Sequence, residues 1–176
     1  MIVWLNGTYG AGKTTTAGLV AAKLPARIFD SEQVGYVLQG ILGDLPHTDF
    51  KEWPPWRHLT VETARSILDF QGGTLVIPQT VLQREYWSEL AEGFRSAGIP
   101  LRAFTLHADR EVWAHRVEND EFEKDALQWR LEARATYEKA LVDWMSEETI
   151  VIDTTGLAPE QVADGLVDLL RGSDEG

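Results

Sequence analysis

The residues Gly7-Thr8-Tyr9-Gly10-Ala11-Gly12-Lys13-Thr14 satisfy the pattern G-x-x-x-x-G-K-[ST] at every fixed position. No other feature constrains the fold as tightly, because this pattern belongs between a strand and a helix. Both flanks suit it. Ile2 to Asn6 is a short apolar run, and Ala17, Val20, Ala21 and Leu24 then recur at i, i+3, i+4 and i+7 before Pro25. The glycines let the backbone curl so that successive N–H groups aim at one anion, and the helix adds its positive N-terminal end. In such a loop Lys13 reaches the β- and γ-phosphates and the Thr14 hydroxyl ligates Mg²⁺. Gly7, Gly10, Ala11, Gly12, Lys13, Thr14 and Thr15 are therefore the expected ATP-binding residues, with Mg²⁺ as the accompanying ion.

The remaining chain alternates strand and helix patterns. Arg27 to Phe29 reads as a second strand closed by Asp30, and Gln33 to Leu42 as a helix. Gly43 to Pro55, rich in proline and polar residues, reads as an irregular excursion and a candidate flap. Val61, Ala64 and Leu68 mark a helix stopped by Gly72-Gly73, and Thr74 to Ile77 a third strand broken by Pro78. A helix over Arg84 to Ala97 and a fourth strand over Leu101 to Leu106 follow. Asp109 suits an N-cap for a helix carrying Val112, Trp113 and Val117. Beyond the acidic stretch Glu118 to Asp125, a long helix turns Leu127, Leu131, Tyr137, Leu141 and Met145 inward. Thr149 to Ile152 is a fifth strand, and Pro159 opens a last helix. The expectation is one α/β domain over residues 1–172, with a polar tail at 173–176. Its fold would be a P-loop, nucleotide-kinase-like one: a five-stranded parallel sheet covered by helices on both faces.

Composition narrows the partners. The net charge of -12 argues against nucleic acid, which needs clustered Lys and Arg, and against an anionic membrane surface. No apolar run approaches the roughly 20 residues of a membrane span. The absence of cysteine excludes disulfides and Cys-based zinc sites, and suits a cytoplasmic protein. The chain opens directly on an apolar run, so no signal or transit peptide is expected. A small-molecule second substrate fits these limits best. The oligomeric state is not indicated.

In a parallel sheet of this kind, ligands bind outside the carboxyl ends of the strands. Asp30 ends the second strand, expected beside the phosphate loop, where its carboxylate would accept a proton from an attacking hydroxyl or hold a Mg²⁺-bound water; it would equally cap the next helix. The third strand runs into Pro78-Gln79-Thr80 and carries no acid, so Gln79 and Thr80 become candidates for substrate contact. Trp53-Pro54-Pro55-Trp56-Arg57 would form an apolar wall with one guanidinium head for the acceptor, or else pack at the start of a helix. Arg116, Arg130 and Arg134 lie where a lid would supply cations to the transferring phosphoryl group. Arg134 also has Glu138 at i+4, which favours a solvated ion pair. The four histidines show no metal-ligand spacing.

The segments MIVWLNGTYGAGKTTTA, FDSEQVGYVL, WPPWR, LVIPQT and FTLHAD, in this order, resemble the tunicamycin-resistance family of P-loop ATP-binding proteins, and the likeness runs from Met1 to about Val167. More broadly the chain is similar to small-molecule kinases such as chloramphenicol phosphotransferase and the shikimate and gluconate kinases. In those an Asp after strand two binds substrate or acts as base, and Asp30 matches that place. The resemblance implies ATP binding and resistance to tunicamycin, a nucleoside antibiotic bearing sugars and a lipid chain. Transfer of a phosphoryl group from MgATP to a hydroxyl of the drug would join that fold to that phenotype. Two rivals remain: a metabolic kinase for a sugar acid or nucleotide, and an ATP-dependent protein that sequesters the drug without chemistry.

Overall fold

Five strands, β1 (Ile2–Gly7), β2 (Ala26–Ile28), β3 (Thr74–Pro78), β4 (Leu101–His107) and β5 (Ile150–Asp153), pair in parallel in the order β2-β3-β1-β4-β5. The structure is a computed structural model that describes residues 1–118 and 127–172, with the backbone alone for 127–132. The helices are α1 (Lys13–Lys23), α2 (Glu32–Leu42), α3 (Pro54–Gln71), α4 (Arg84–Ser96), α5 (Arg110–Glu118), α6 (Leu127–Ala140), α7 (Ser146–Glu148) and α8 (Pro159–Arg171). A π turn, Leu141–Met145, joins α6 to α7, so the long helix expected after the acidic stretch is continuous but locally underwound into a wider turn.

β1 is central and every one of its residues is buried. Its side chains alternate between two cores. Ile2 and Trp4 pack with Trp56, Trp87, Leu90 and Phe94 from α3 and α4, while Val3 and Leu5 pack with Val20 of α1 and Leu166 and Leu170 of α8. Helices thus cover both faces, as expected for parallel strands whose every residue must leave water.

Two details depart from the sequence reading. β3 lies between β1 and β2, so Asp30 is one strand further from the phosphate loop than expected. The stretch from Gly43 to Pro55 is also shorter as an excursion. It contains a 3₁₀ turn, Phe50–Glu52, capped by Asp49 accepting from the Lys51 N–H, and α3 already starts at Pro54. Proline suits that first helical position because its missing N–H would have no partner there. Most of the acidic stretch Glu118 to Asp125 and the tail 173–176 lie outside the described residues. Among the described residues no helix is long and apolar enough to cross a membrane.

Candidate active site

The phosphate loop leaves β1 through Asn6, whose fully buried side chain clasps two segments together. Its Oδ1 accepts from the N–H groups of Gly7 (2.9 Å) and Val81 (3.0 Å), and its Nδ2 donates to the Val81 carbonyl (2.9 Å). The segment after β3 is thereby fixed beneath the loop. Thr80 stands where an acid was missing, and its hydroxyl donates to the Gly7 carbonyl at 2.9 Å. The Trp4 indole N–H donates to the Gln79 carbonyl at 3.1 Å.

Two loop glycines are required by geometry. Gly7 sits at φ 137° and a Cβ there would lie 2.6 Å from the Leu106 carbonyl oxygen; Gly10 sits at φ 76° and its Cβ would lie 2.5 Å from Val117 Cγ2. No side chain caps α1, so its first-turn N–H groups are left to an external anion. Lys13 Nζ donates to the loop's own carbonyls at Thr8 (2.8 Å) and Gly7 (3.4 Å). Thr14 and Thr15 are exposed at the mouth. This is a cradle for a phosphate chain.

Tyr9 turns the loop toward a second region. Its carbonyl accepts from the Trp113 indole N–H at 2.6 Å, which ties α5 to the loop. Its ring lies near two lysines, with Lys13 Nζ 5.6 Å and Lys51 Nζ 6.0 Å from the centroid. Lys51 Nζ also donates to the Tyr9 hydroxyl at 3.3 Å and pairs with Asp49. Burial alone would weaken the Lys51 charge, but the Tyr9 and Asp49 oxygens outweigh it and hold its pKa above the usual lysine value. Burial raises the Tyr9 phenol in turn.

Tyr9 and Lys51 line a polar cavity of about 330 Å³ together with Asp49, Glu52, Gln83 and Tyr86, and Thr80 also reaches it. A smaller cavity of about 260 Å³ shares Tyr9, Asp49 and Lys51 and adds Glu32 and His47. Burial and then the neighbouring Asp30 raise the Glu32 pKa, against the opposing pull of Lys51 and Lys13. That coupling shows that the first turn of α2 lies within electrostatic reach of the phosphate loop.

The structure gathers some of the expected residues and disperses others. Asp30 is exposed, and its carboxylate caps α2, accepting from the Glu32 N–H and the Gln33 amide, each at 3.0 Å. Gln79 is buried and does not line the two cavities. Trp56 is fully buried; its indole N–H donates to the Ser31 carbonyl at 2.9 Å and its ring packs on Phe50. It belongs to the core, not to an acceptor wall, because α3 begins early enough to turn it toward the sheet. Trp53 is buried too. Arg57, 5% exposed, pairs with Glu89, donates to the Lys51 carbonyl and lies over the Tyr86 ring, so it braces the cavity from behind rather than facing it. Arg116 donates to Thr154 at the end of β5. Arg134 is buried between the Trp113 and Tyr137 rings and pairs with Glu138, so its end of that ion pair is withdrawn from solvent while the Glu138 carboxylate stays partly exposed and also meets Arg110. The Arg130 side chain lies outside the described residues. Sequence reasoning missed Asp49, Lys51, Glu52, Gln83 and Tyr86 as cavity residues. Asp49, Lys51 and Glu52 fall inside the Gly43 to Pro55 stretch read as a candidate flap, although nothing in it singles them out, and no local pattern marks Gln83 and Tyr86.

A family model described as an AAA domain matches residues 2–143. The chain belongs to that family. This AAA domain resembles the tunicamycin resistance protein of Deinococcus radiodurans, with a TM-score of 0.74 and 26% identity, covering 96% of this chain and 94% of the other. The likeness expected from the sequence motifs is thereby borne out. A putative adenylate kinase of Thermococcus kodakarensis is 26% identical over 97% of this chain and 86% of its own length. The unliganded structure of a sugar kinase from Janibacter sp. shares the fold, with a TM-score of 0.69 and 22% identity over 97% of this chain and 94% of the other. The expected P-loop, kinase-like α/β fold is the one observed.

Proposed function

We propose that this protein is an ATP-dependent phosphotransferase that moves the γ-phosphoryl group of MgATP to a hydroxyl of a small molecule. One observation carries the reading: the phosphate loop opens, past Tyr9 and Thr80, onto a polar cavity large enough for a second substrate. The loop N–H groups and Lys13 would hold the β- and γ-phosphates, and Lys13 would neutralise charge on the group in flight. The acceptor oxygen bonds to the γ-phosphorus as the bond to the β–γ bridging oxygen breaks. The hydroxyl proton would pass to Asp30, whose carboxylate caps α2 two residues before Glu32 of the smaller cavity, and ADP leaves.

Among the described residues no cluster of three acids or histidines could cage a metal. The exposed Thr14 hydroxyl, with Asp30 through water, instead suits an ion that keeps most of its waters and arrives on the nucleotide. Bound Mg²⁺ supplies charge neutralisation at the phosphate oxygens. A protein that uses ATP in this way would work in the cytoplasm.

Tunicamycin is the first acceptor to test, because the Deinococcus neighbour bears that name. Sequestration without chemistry is the second reading, favoured by Thr80 standing in place of a strand-end acid. Mass spectrometry of the drug after incubation with protein and MgATP separates the two, since transfer adds one phosphate mass. Lys13→Ala should abolish that product and weaken MgATP binding, with the circular dichroism spectrum intact. Unchanged calorimetric affinity for MgATP would remove the loop assignment. Asp30→Asn should bind MgATP normally and turn over ~100-fold more slowly, as for a positioned base.

A further inference from the structure

The two cavities beside Tyr9 share Asp49 and Lys51, and together they present three carboxylates, Glu32, Asp49 and Glu52, to one lysine. That lysine is already neutralised: Lys51 is ion-paired with Asp49, and its carbonyl is held by the Arg57 guanidinium. Arg57 offers no second charge to a ligand, because it is buried and committed to Glu89 and to the Tyr86 ring. Among the described residues, then, the lining carries an excess of negative charge and no uncommitted cation. An acceptor bearing a carboxylate or phosphate would meet like charge there, which selects against it. The chain's overall charge of -12 adds to that repulsion.

What the lining does offer is hydrogen-bonding capacity at short spacing. Asp49 and Glu52 accept, Gln83 accepts and donates, and Tyr9 and Tyr86 add ring surface with a hydroxyl at one end. Thr48 already donates its hydroxyl to Glu52, which fixes that carboxylate in place. The cavity volume of about 330 Å³ sits at the lower limit, roughly 300 Å³, of small-ligand sites. Trp53 and Trp56 are both withdrawn into the core, so among the described residues neither gives these cavities an apolar wall for a lipid or large aromatic group.

We propose that these joined cavities are the acceptor site and that they select an uncharged, hydroxyl-rich ring, such as a sugar or the ribose of a nucleoside, over an acid or a phosphate ester. The assignment rests on the phosphotransferase reading for the word acceptor, but its content is a binding preference that can be measured without transfer.

The test uses matched pairs on the full chain saturated with Mg²⁺ and a non-hydrolysable ATP analogue. D-glucose is titrated against gluconate, and uridine against uridine 5′-monophosphate, by calorimetry. The neutral member of at least one pair should bind ~10-fold or more tightly than its anionic partner, about one decade per like charge avoided. The sugar pair and the nucleoside pair tell the two sources of the ring apart. Equal affinity within both pairs, preference for the anion, or no binding of either neutral probe at millimolar concentration overturns the proposal.

Asp49→Asn gives the opposite signature, because it releases the Lys51 charge: gluconate binding should strengthen ~10-fold while glucose weakens. Asp49 also caps the Phe50–Glu52 turn, so Glu52→Gln, which removes a carboxylate without touching that cap, provides a second variant with the same expected direction. Failure of the well-folded Glu52→Gln to relax the discrimination overturns the charge argument. Labelled γ-phosphate transfer is followed in parallel. Neutral binding without transfer would refute the phosphotransferase reading and leave the selectivity standing, whereas transfer to gluconate in preference to glucose would do the reverse.

Discussion

Replacing Arg57 with Met separates bracing from direct recognition. The guanidinium is 5% exposed and makes three kinds of contact: a hydrogen bond to the Lys51 carbonyl, a pair with Glu89 at 2.6 Å, and a position 4.4 Å over the Tyr86 ring. A hydrogen bond from a charged donor to a buried carbonyl contributes about 1.5–3 kcal/mol. The Glu89 side chain is 53% exposed, so that pair is screened and counts for only about 0.5 kcal/mol. The stacking on Tyr86 adds about 0.5–1 kcal/mol. Methionine keeps most of the stem packing and none of the polar contacts, so the loss should be about 2.5–4.5 kcal/mol. In a chain of this size that lowers Tm by roughly 5–15 °C. Because Arg57 anchors Lys51 and Tyr86, the Michaelis constant for the acceptor should rise while MgATP affinity stays within about twofold. Urea unfolding and calorimetry measure both. A stability change below ~0.5 kcal/mol combined with a large loss of acceptor affinity would refute the bracing argument and return Arg57 to the acceptor's own contacts.

Other perturbations follow from the same geometry. Trp56→Ala should cost about 3–5 kcal/mol of stability by opening a cavity in the core, and should damage ATP and acceptor constants together; a stable variant with only acceptor affinity reduced would contradict its burial. Gly10→Ala should abolish MgATP binding, because φ 76° and the 2.5 Å approach to Val117 both oppose a Cβ, and the added Val117→Ala should restore folding stability in part. The raised pKa of Glu32 has a definite sign: its charge opposes folding above the folded-state pKa, and that cost disappears as pH falls toward the unfolded value of 4.5. Glu32→Gln should therefore melt higher than the native chain at pH 7 and equal to it near pH 4; a gap that persists in acid would show the effect to be packing rather than charge.

Local sequence was sufficient wherever a residue's role follows from its own backbone or its near neighbours. The strand, the glycine loop and the first helix are a contiguous unit whose left-handed glycines and uncapped helix start are written in twelve or so positions. Pro159 at the start of α8 and the alternation of strand and helix patterns required only the periodicity of buried residues. The same logic fails for the acceptor side. Whether Trp56 and Arg57 face a cleft or the sheet depends on where α3 starts, and a shift of about two residues, half a helical turn, carries a side chain from one to the other. Asp49, Lys51 and Glu52 become cavity residues only because a 3₁₀ turn docks on Tyr9, more than forty residues earlier, and Tyr86 only because α4 packs alongside α3. Sheet order placed β3 between β1 and β2, which no local pattern encodes, and so set the distance of Asp30 from the loop. The phosphate cradle is built from hydrogen-bond donors adjacent in the chain, so the sequence specifies it. The cavity beside it is built from side chains brought together across four segments, and only the packing of the helices on the sheet decides which of them meet.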